Sequence, residues 1–132
     1  MKIDFRLDGR SAVVCGATGG IGQAIALAFA DAGARVTVVG RDSDRIAQTL
    51  SKLSGGGHEA LEANFSDIAA VKAAARDRAG RGDVDILINN TGGPPAGPAS
   101  ESDPEVFLEA FQMHLVNAQT MLQTFLPGMK KN

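Results

Sequence analysis

The chain has 132 residues, enough for one domain with its own apolar core and no need of disulfides. Apolar residues make up 44% and charged residues 21%, and the formal net charge of −2 gives no electrostatic reason to expect nucleic acid or an anionic membrane surface as partner. A single cysteine, Cys15, excludes an internal disulfide and favours a reducing, cytoplasmic setting, while no apolar run approaches the roughly 20 residues of a membrane span.

In chain order, the charge-studded start MKIDFRLDGR lacks the apolar centre of a signal peptide. The run SAVVC predicts a strand over 11–15, with Cys15 as small buried filler. It leads into CGATGGIG, whose glycines at 16, 20 and 22 suit a tight turn that lets a ligand approach the backbone. Ile21, Ala24, Ile25, Ala28 and Ala32 then fall on one helical stripe, closed by Gly33. The β-branched run RVTVVG predicts a second strand, so the first two strands form a right-handed βαβ unit and lie parallel.

A second helix is expected over 42–53, with Ile46, Leu50 and Leu53 on one face and the flexible stretch SGGG behind it. A third strand over 59–63 is required by the alternation of elements rather than by its own residues, since ALEA suits a helix equally well. Ser66 is the expected cap of a third helix that runs to about 79, with Ile68 and Val71 facing inward. The apolar run VDILIN predicts a fourth, buried strand over 84–89. The pattern implies a single α/β domain over 1–132: a doubly wound, Rossmann-like parallel sheet of four strands in the order 3-2-1-4.

After the proline- and glycine-rich loop TGGPPAGPA, Asp103 and Pro104 open the longest predicted helix, over 104–125. Val106, Ala110, Phe111, His114, Leu115, Ala118, Leu122 and Phe125 give it a broad apolar face, and Pro127-Gly128 is the expected stop. His58, beside three glycines, is expected to be solvated. Two distant histidines and one cysteine make no metal constellation.

The chemistry concentrates at CGATGGIG. Free N–H groups and the positive dipole end at the start of the helix make a phosphate site, and the carboxyl edge of a doubly wound sheet is where nucleotides bind. CGATGGIG resembles the TGxxxGIG motif of the short-chain dehydrogenase/reductase family, with Cys15 in place of the usual threonine. Asn89-Asn90-Thr91-Gly92 resembles that family's NNAG motif. The resemblance runs from Leu7 to Lys131 and is strongest to the 3-oxoacyl-carrier-protein reductase-like branch. It implies an NAD(P)-dependent oxidoreductase acting on a small-molecule carbonyl or alcohol, and a homo-oligomer. It implies further that Gly16, Thr18, Gly19, Gly20, Ile21 and Gly22 line the diphosphate and adjoining ribose, with Asn90, Thr91 and Gly92 near the nicotinamide-side ribose.

The end of the second strand decides between nicotinamide cofactors. An arginine there can fork a 2′-phosphate, whereas a carboxylate would bond a 2′-OH and repel the phosphate. Arg41 favours NADP, with NAD as the alternative. Asp42, and Gly19 at a motif position that is often basic, temper that preference, and the alternative for Arg41 is a merely solvated residue at a helix start. Asn64-Phe65 corresponds to the family stretch that meets adenine, with Asn64 in place of an aspartate. The amide can donate and accept, or it can satisfy its own turn. His114 stands where the family has an active-site asparagine that helps hold a water. A packed histidine on an apolar helix face is the competing, commoner reading.

The family's catalytic serine and Tyr-x3-Lys follow the long helix, and this chain contains no tyrosine. Three readings follow: the cofactor-binding half of an oxidoreductase, which is favoured; a natural short protein that binds nucleotide without catalysis; or an oligomerising module. In each, the 132 residues alone are expected to be inactive.

Overall fold

The computed structural model describes residues 5–132, so the first four residues of the stretch read for a leader lie outside the described residues. The order is β1 (Ser11–Val14), α1 (Gly20–Asp31), β2 (Arg35–Gly40), α2 (Ser43–Leu50), β3 (Glu59–Glu62), α3 (Ile68–Gly80), β4 (Ile86–Ile88), α4 (Pro104–Phe111) and α5 (Asn117–Met129). All strands are parallel in the order β3-β2-β1-β4, with Val13 opposite Thr37 and Leu87, and Val38 opposite Ala60. The Rossmann-like architecture expected from the alternation is the one observed. No helix among the described residues is long and apolar enough to cross a membrane.

β1 is buried along its whole length and β2 from Val36 onward, as their β-branched composition requires. One core forms where Val13, Val39 and Leu61 meet Val71 and Ala75 of α3 and Met121 and Phe125 of α5; the other, on the opposite face, joins Val14, Val36 and Val38 to Ala26, Ala30 and Ile46. Cys15 is fully buried in the first core, and burial pushes its thiol up to about 12, which makes it the inert packing residue expected.

β3 is a strand despite its helix-compatible residues because the exposed ladder of β2 offers partners for its backbone. His58 helps to start it and is held, not solvated. The Val36 N–H donates to His58 Nδ1 at 3.1 Å, so the ring proton resides on Nε2, which donates to the Ser54 carbonyl at 2.8 Å. The glycines around it give no hint of this, because Val36 lies on the neighbouring strand, 22 residues away in the chain.

Several helical expectations shift. Of the stripe expected on α1, Ile25 packs partly buried against the core, but Ile21 is 73% exposed, and the fully buried positions are Gly22, Ala26 and Ala30. The fully buried line of α1 is made of its smallest side chains, with Ile25 and Phe29 packed partly buried at its flanks. α2 ends at Leu50 rather than 53 and is capped by Asp42, whose carboxylate accepts from the Asp44 and Arg45 N–H groups at 3.0 and 3.1 Å. α3 is capped by Asp67, which accepts from the Ala70 N–H at 3.0 Å, and not by Ser66. Asn64 already accepts the Ser66 N–H at 3.0 Å, and that side-chain turn moves the helix start one residue on. β4 is shorter than predicted and half-buried, as befits an edge strand paired only with β1.

The predicted long helix is interrupted by a π-helical turn, Gln112–Val116. The extra residue in that turn rotates the following face, so a stripe counted at α-helical spacing across it falls out of phase. α5 therefore buries Asn117, Met121 and Phe125, whereas Phe111, Leu115 and Leu122 remain exposed, as do Phe107 and Leu108. His114 is exposed as well, against the packed-core reading. The helix also continues through Pro127 to Met129 instead of stopping. Pro127 cannot bond the Gln123 carbonyl, but both residues are exposed, so water can satisfy it.

A buried arginine joins three strands at their amino-terminal side. Arg78 of α3 donates from Nε to Thr37 Oγ1 at 2.8 Å, from Nη2 to Ser11 Oγ at 2.7 Å and from Nη1 to the Gly82 carbonyl at 3.0 Å, and it pairs with Glu59 at 3.1 Å. Burial holds its guanidinium below the usual arginine value, with Glu59 opposing that shift.

Candidate nucleotide-binding site

The residues that follow the carboxyl ends of all four strands converge on one cavity of about 630 Å³. After β1 the chain turns sharply at Gly16, which has φ of +61° and no room for a side chain: a Cβ there would stand 2.5 Å from the Asn90 carbonyl oxygen. Gly22, in the first turn of α1, is tighter still, since its Cβ would lie 2.1 Å from the Gly16 carbonyl oxygen and 2.7 Å from Asn90 Nδ2. The turn, the helix and the loop after β4 are thus packed backbone to backbone. Asn90 ties them together, its Nδ2 lying 3.4 Å from the carbonyl oxygens of both Cys15 and Gly16. Gly19, the N-cap of α1, supplies no capping side chain, which leaves the first-turn N–H groups of the helix without a side-chain acceptor.

Of the residues singled out in the sequence, Gly16, Thr18, Gly19, Gly20, Ile21, Arg41, Asn64, Phe65, Asn90, Thr91 and Gly92 line this cavity. Gly22 does not; it is buried behind the turn and makes the turn possible. His114 does not line it either, but its Nδ1 is 2.7 Å from Oγ1 of Thr91, which does. The exposure of Ile21 is explained by the cavity it faces.

Arg45, Ala63, Ser66, Gly93 and Met113 also line the cavity and were not picked out from the sequence. For Arg45 a signal existed, since it lies four residues beyond Arg41 at the start of a helix. Among the described residues neither arginine has an ion-pair partner, so the cavity is lined by two guanidinium groups with no carboxylate paired to them. Asp42, the nearest carboxylate in sequence, is turned into the cap of α2 and does not line the cavity. The chemistry on offer is a backbone anion cradle at one strand end, fixed cationic charge at the next, and amide, hydroxyl and apolar groups at the other two.

The short-chain dehydrogenase family matches residues 10–132. A D-threitol dehydrogenase from Mycolicibacterium smegmatis is 42% identical over 104 residues, which cover 76% of this chain and 40% of that one. Among solved structures, the Pseudomonas aeruginosa RhlG/NADP active-site complex superposes with a TM-score of 0.86 at 31% identity, over 99% of this chain and 52% of that one. A 7α-hydroxysteroid dehydrogenase complexed with NADH and 7-oxo glycochenodeoxycholic acid gives a TM-score of 0.89 at 31% identity, over 100% and 53%. The chain spans about half the length of the relatives it matches. Its fold, its glycine turn at the end of β1 and its Asn90 anchor agree with that match, and the chain belongs to the short-chain dehydrogenase family.

Proposed function

We propose that this chain, a single dinucleotide-binding domain over 1–132, forms the nicotinamide-dinucleotide site of an oxidoreductase that interconverts a small-molecule carbonyl and alcohol. NADP is the preferred cofactor and NAD the second choice. The observation that carries the reading is the cavity itself: a glycine cradle at one strand end and, at the next, two arginines with no ion-pair partner among the described residues fit a diphosphate and a further phosphate. In this reading Gly16, Thr18, Gly19, Gly20 and Ile21 hold the diphosphate, with Gly22 shaping the turn. Arg41 meets the 2′-phosphate, Asn64 and Phe65 the adenine, and Asn90, Thr91 and Gly92 the nicotinamide-side ribose. The bound nicotinamide would supply the two-electron exchange. The RhlG complex with NADP and the hydroxysteroid dehydrogenase complex with NADH support both cofactors as candidates. His114 meets the site through Thr91, its Nδ1 lying 2.7 Å from the Thr91 hydroxyl. The single cysteine supports a cytoplasmic setting.

Fluorescence titration of the purified chain should show NADPH binding about tenfold tighter than NADH, the scale of one charge-assisted contact. Tighter NADH binding would reverse the preference. With no tyrosine in these 132 residues, we expect no carbonyl reduction by the chain alone; steady NADPH oxidation with a carbonyl present would show that another residue supplies the proton.

The same reading includes self-association. Phe107, Leu108, Phe111 and Leu115 are each more than half exposed along α4 and the π turn, and a contiguous apolar surface of this kind is an association site. Light scattering should give a mass at least twice 13.6 kDa, and Phe107→Asp should return it to the monomer value. A monomeric parent protein would refute this part.

A further inference from the structure

Arg45 reaches the cavity from α2, an element outside the glycine turn. It sits in the first turn of that helix, where the dipole disfavours a cation, and its guanidinium forms no ion pair with the neighbouring Asp42 or Asp44. Its Nη2 crosses to the Thr18 carbonyl at 3.3 Å. The same nitrogen lies 3.1 Å from where a Cβ on Gly19 would stand. Gly19 has extended backbone, φ −178°, which any residue adopts; what glycine provides there is space, and a guanidinium fills it. That carbonyl engages one of the five N–H donors of a guanidinium, and Arg45 lines the cavity together with Arg41. No carboxylate pairs with either arginine among the described residues, and Asp42 is spent on capping α2.

We propose that Arg45 is a specificity-determining residue: together with Arg41 it grips the 2′-phosphate of NADP, its guanidinium laid over Gly19 supplying the charge that the turn itself lacks. A phosphate monoester carries a charge of about −1.5 to −2 at neutral pH, more than one guanidinium neutralises, and two arginines on one wall match it. The inference rests on the dinucleotide reading above and deepens it.

The test titrates the parent chain, Arg45→Gln and Arg45→Lys with NADPH and with NADH. Arg45→Gln should weaken NADPH binding about tenfold while NADH binding stays within about twofold, and Arg45→Lys should fall between parent and Gln. Equal weakening of both cofactors would mean that Arg45 only supports the turn, and no weakening of either would mean that it is a solvated side chain; both outcomes overturn the proposal while the dinucleotide site stands. A parent chain that binds neither cofactor removes the dinucleotide reading, and this inference with it.

Discussion

Gly22→Ala should lower stability by about 3 kcal/mol and the thermal midpoint by about 10 °C, and it should weaken NADPH binding more than tenfold. By helix propensity alone the substitution would gain about 1 kcal/mol, because alanine is the better helix former. The added methyl, however, would stand 2.1 Å from the Gly16 carbonyl oxygen and 2.7 Å from Asn90 Nδ2. The nearer obstacle is backbone, which cannot swing aside, and the Asn90 amide could yield only by leaving the Cys15 and Gly16 carbonyls, so the glycine turn and the start of α1 must move apart and the tie to the loop after β4 is lost. The steric cost exceeds the propensity gain, and the displaced groups are those that frame the cavity. Gly92→Ala is the contrast: nothing lies within 4 Å of its Cβ position, and its thermal midpoint should match the parent's. Circular dichroism melting of the two variants decides the matter. A Gly22→Ala midpoint within about 2 °C of the parent would show that the backbone contact is not as rigid as described.

Arg78→Ala should cost about 3 kcal/mol, read as a lower urea midpoint. The substitution strips partners from the buried hydroxyls of Ser11 and Thr37 and from the Gly82 carbonyl, and it leaves a void beneath the sheet. Glu59→Gln should cost no more than about 1 kcal/mol, because the Glu59 side chain is 38% exposed and its pairing is screened by water. The cluster lies toward the amino ends of β1, β2 and β3, whereas the cavity lies at the carboxyl ends. NADPH affinity of the folded Arg78→Ala protein should therefore remain within about twofold of the parent's. A loss under 1 kcal/mol would mean that water replaces the guanidinium without penalty.

The cluster also marks a limit of sequence reading. A lone arginine late in a helix looks like solvated surface, and its buried setting depends on Thr37, Ser11 and Glu59, which lie far from it along the chain. The inward face of α1 differs for a related reason: a hydrophobic count ranks Ile21 above Gly22 and cannot rank Ala24 against Ala26 or Ala30, yet Gly22, Ala26 and Ala30 are the residues buried against the strands, with Ile25 of the expected stripe only partly buried beside them. In the long helix the π turn broke the spacing on which the stripe at Leu115 and Leu122 was counted, and no residue type announces such a turn. Asp67 displaced Ser66 as a cap through the local bond from the Ser66 N–H to Asn64, a competition between two plausible turn residues that composition alone does not rank.

By itself the sequence determined the parallel four-stranded sheet, the position of its phosphate-type turn and the two motifs at the ends of β1 and β4. These depend on short-range properties: β-branched runs, helix-length spacers and glycines where the backbone must turn or touch. Only the tertiary structure decided which helix faces are buried, that Gly22 stands behind the cavity rather than in its wall, that Asp42 serves as a cap, and that Arg45 lies over Gly19 beside Arg41's wall. Each of those outcomes depends on the distance between elements remote in sequence. That distance is set when the sheet closes against its helices, and no local pattern of residue types encodes it.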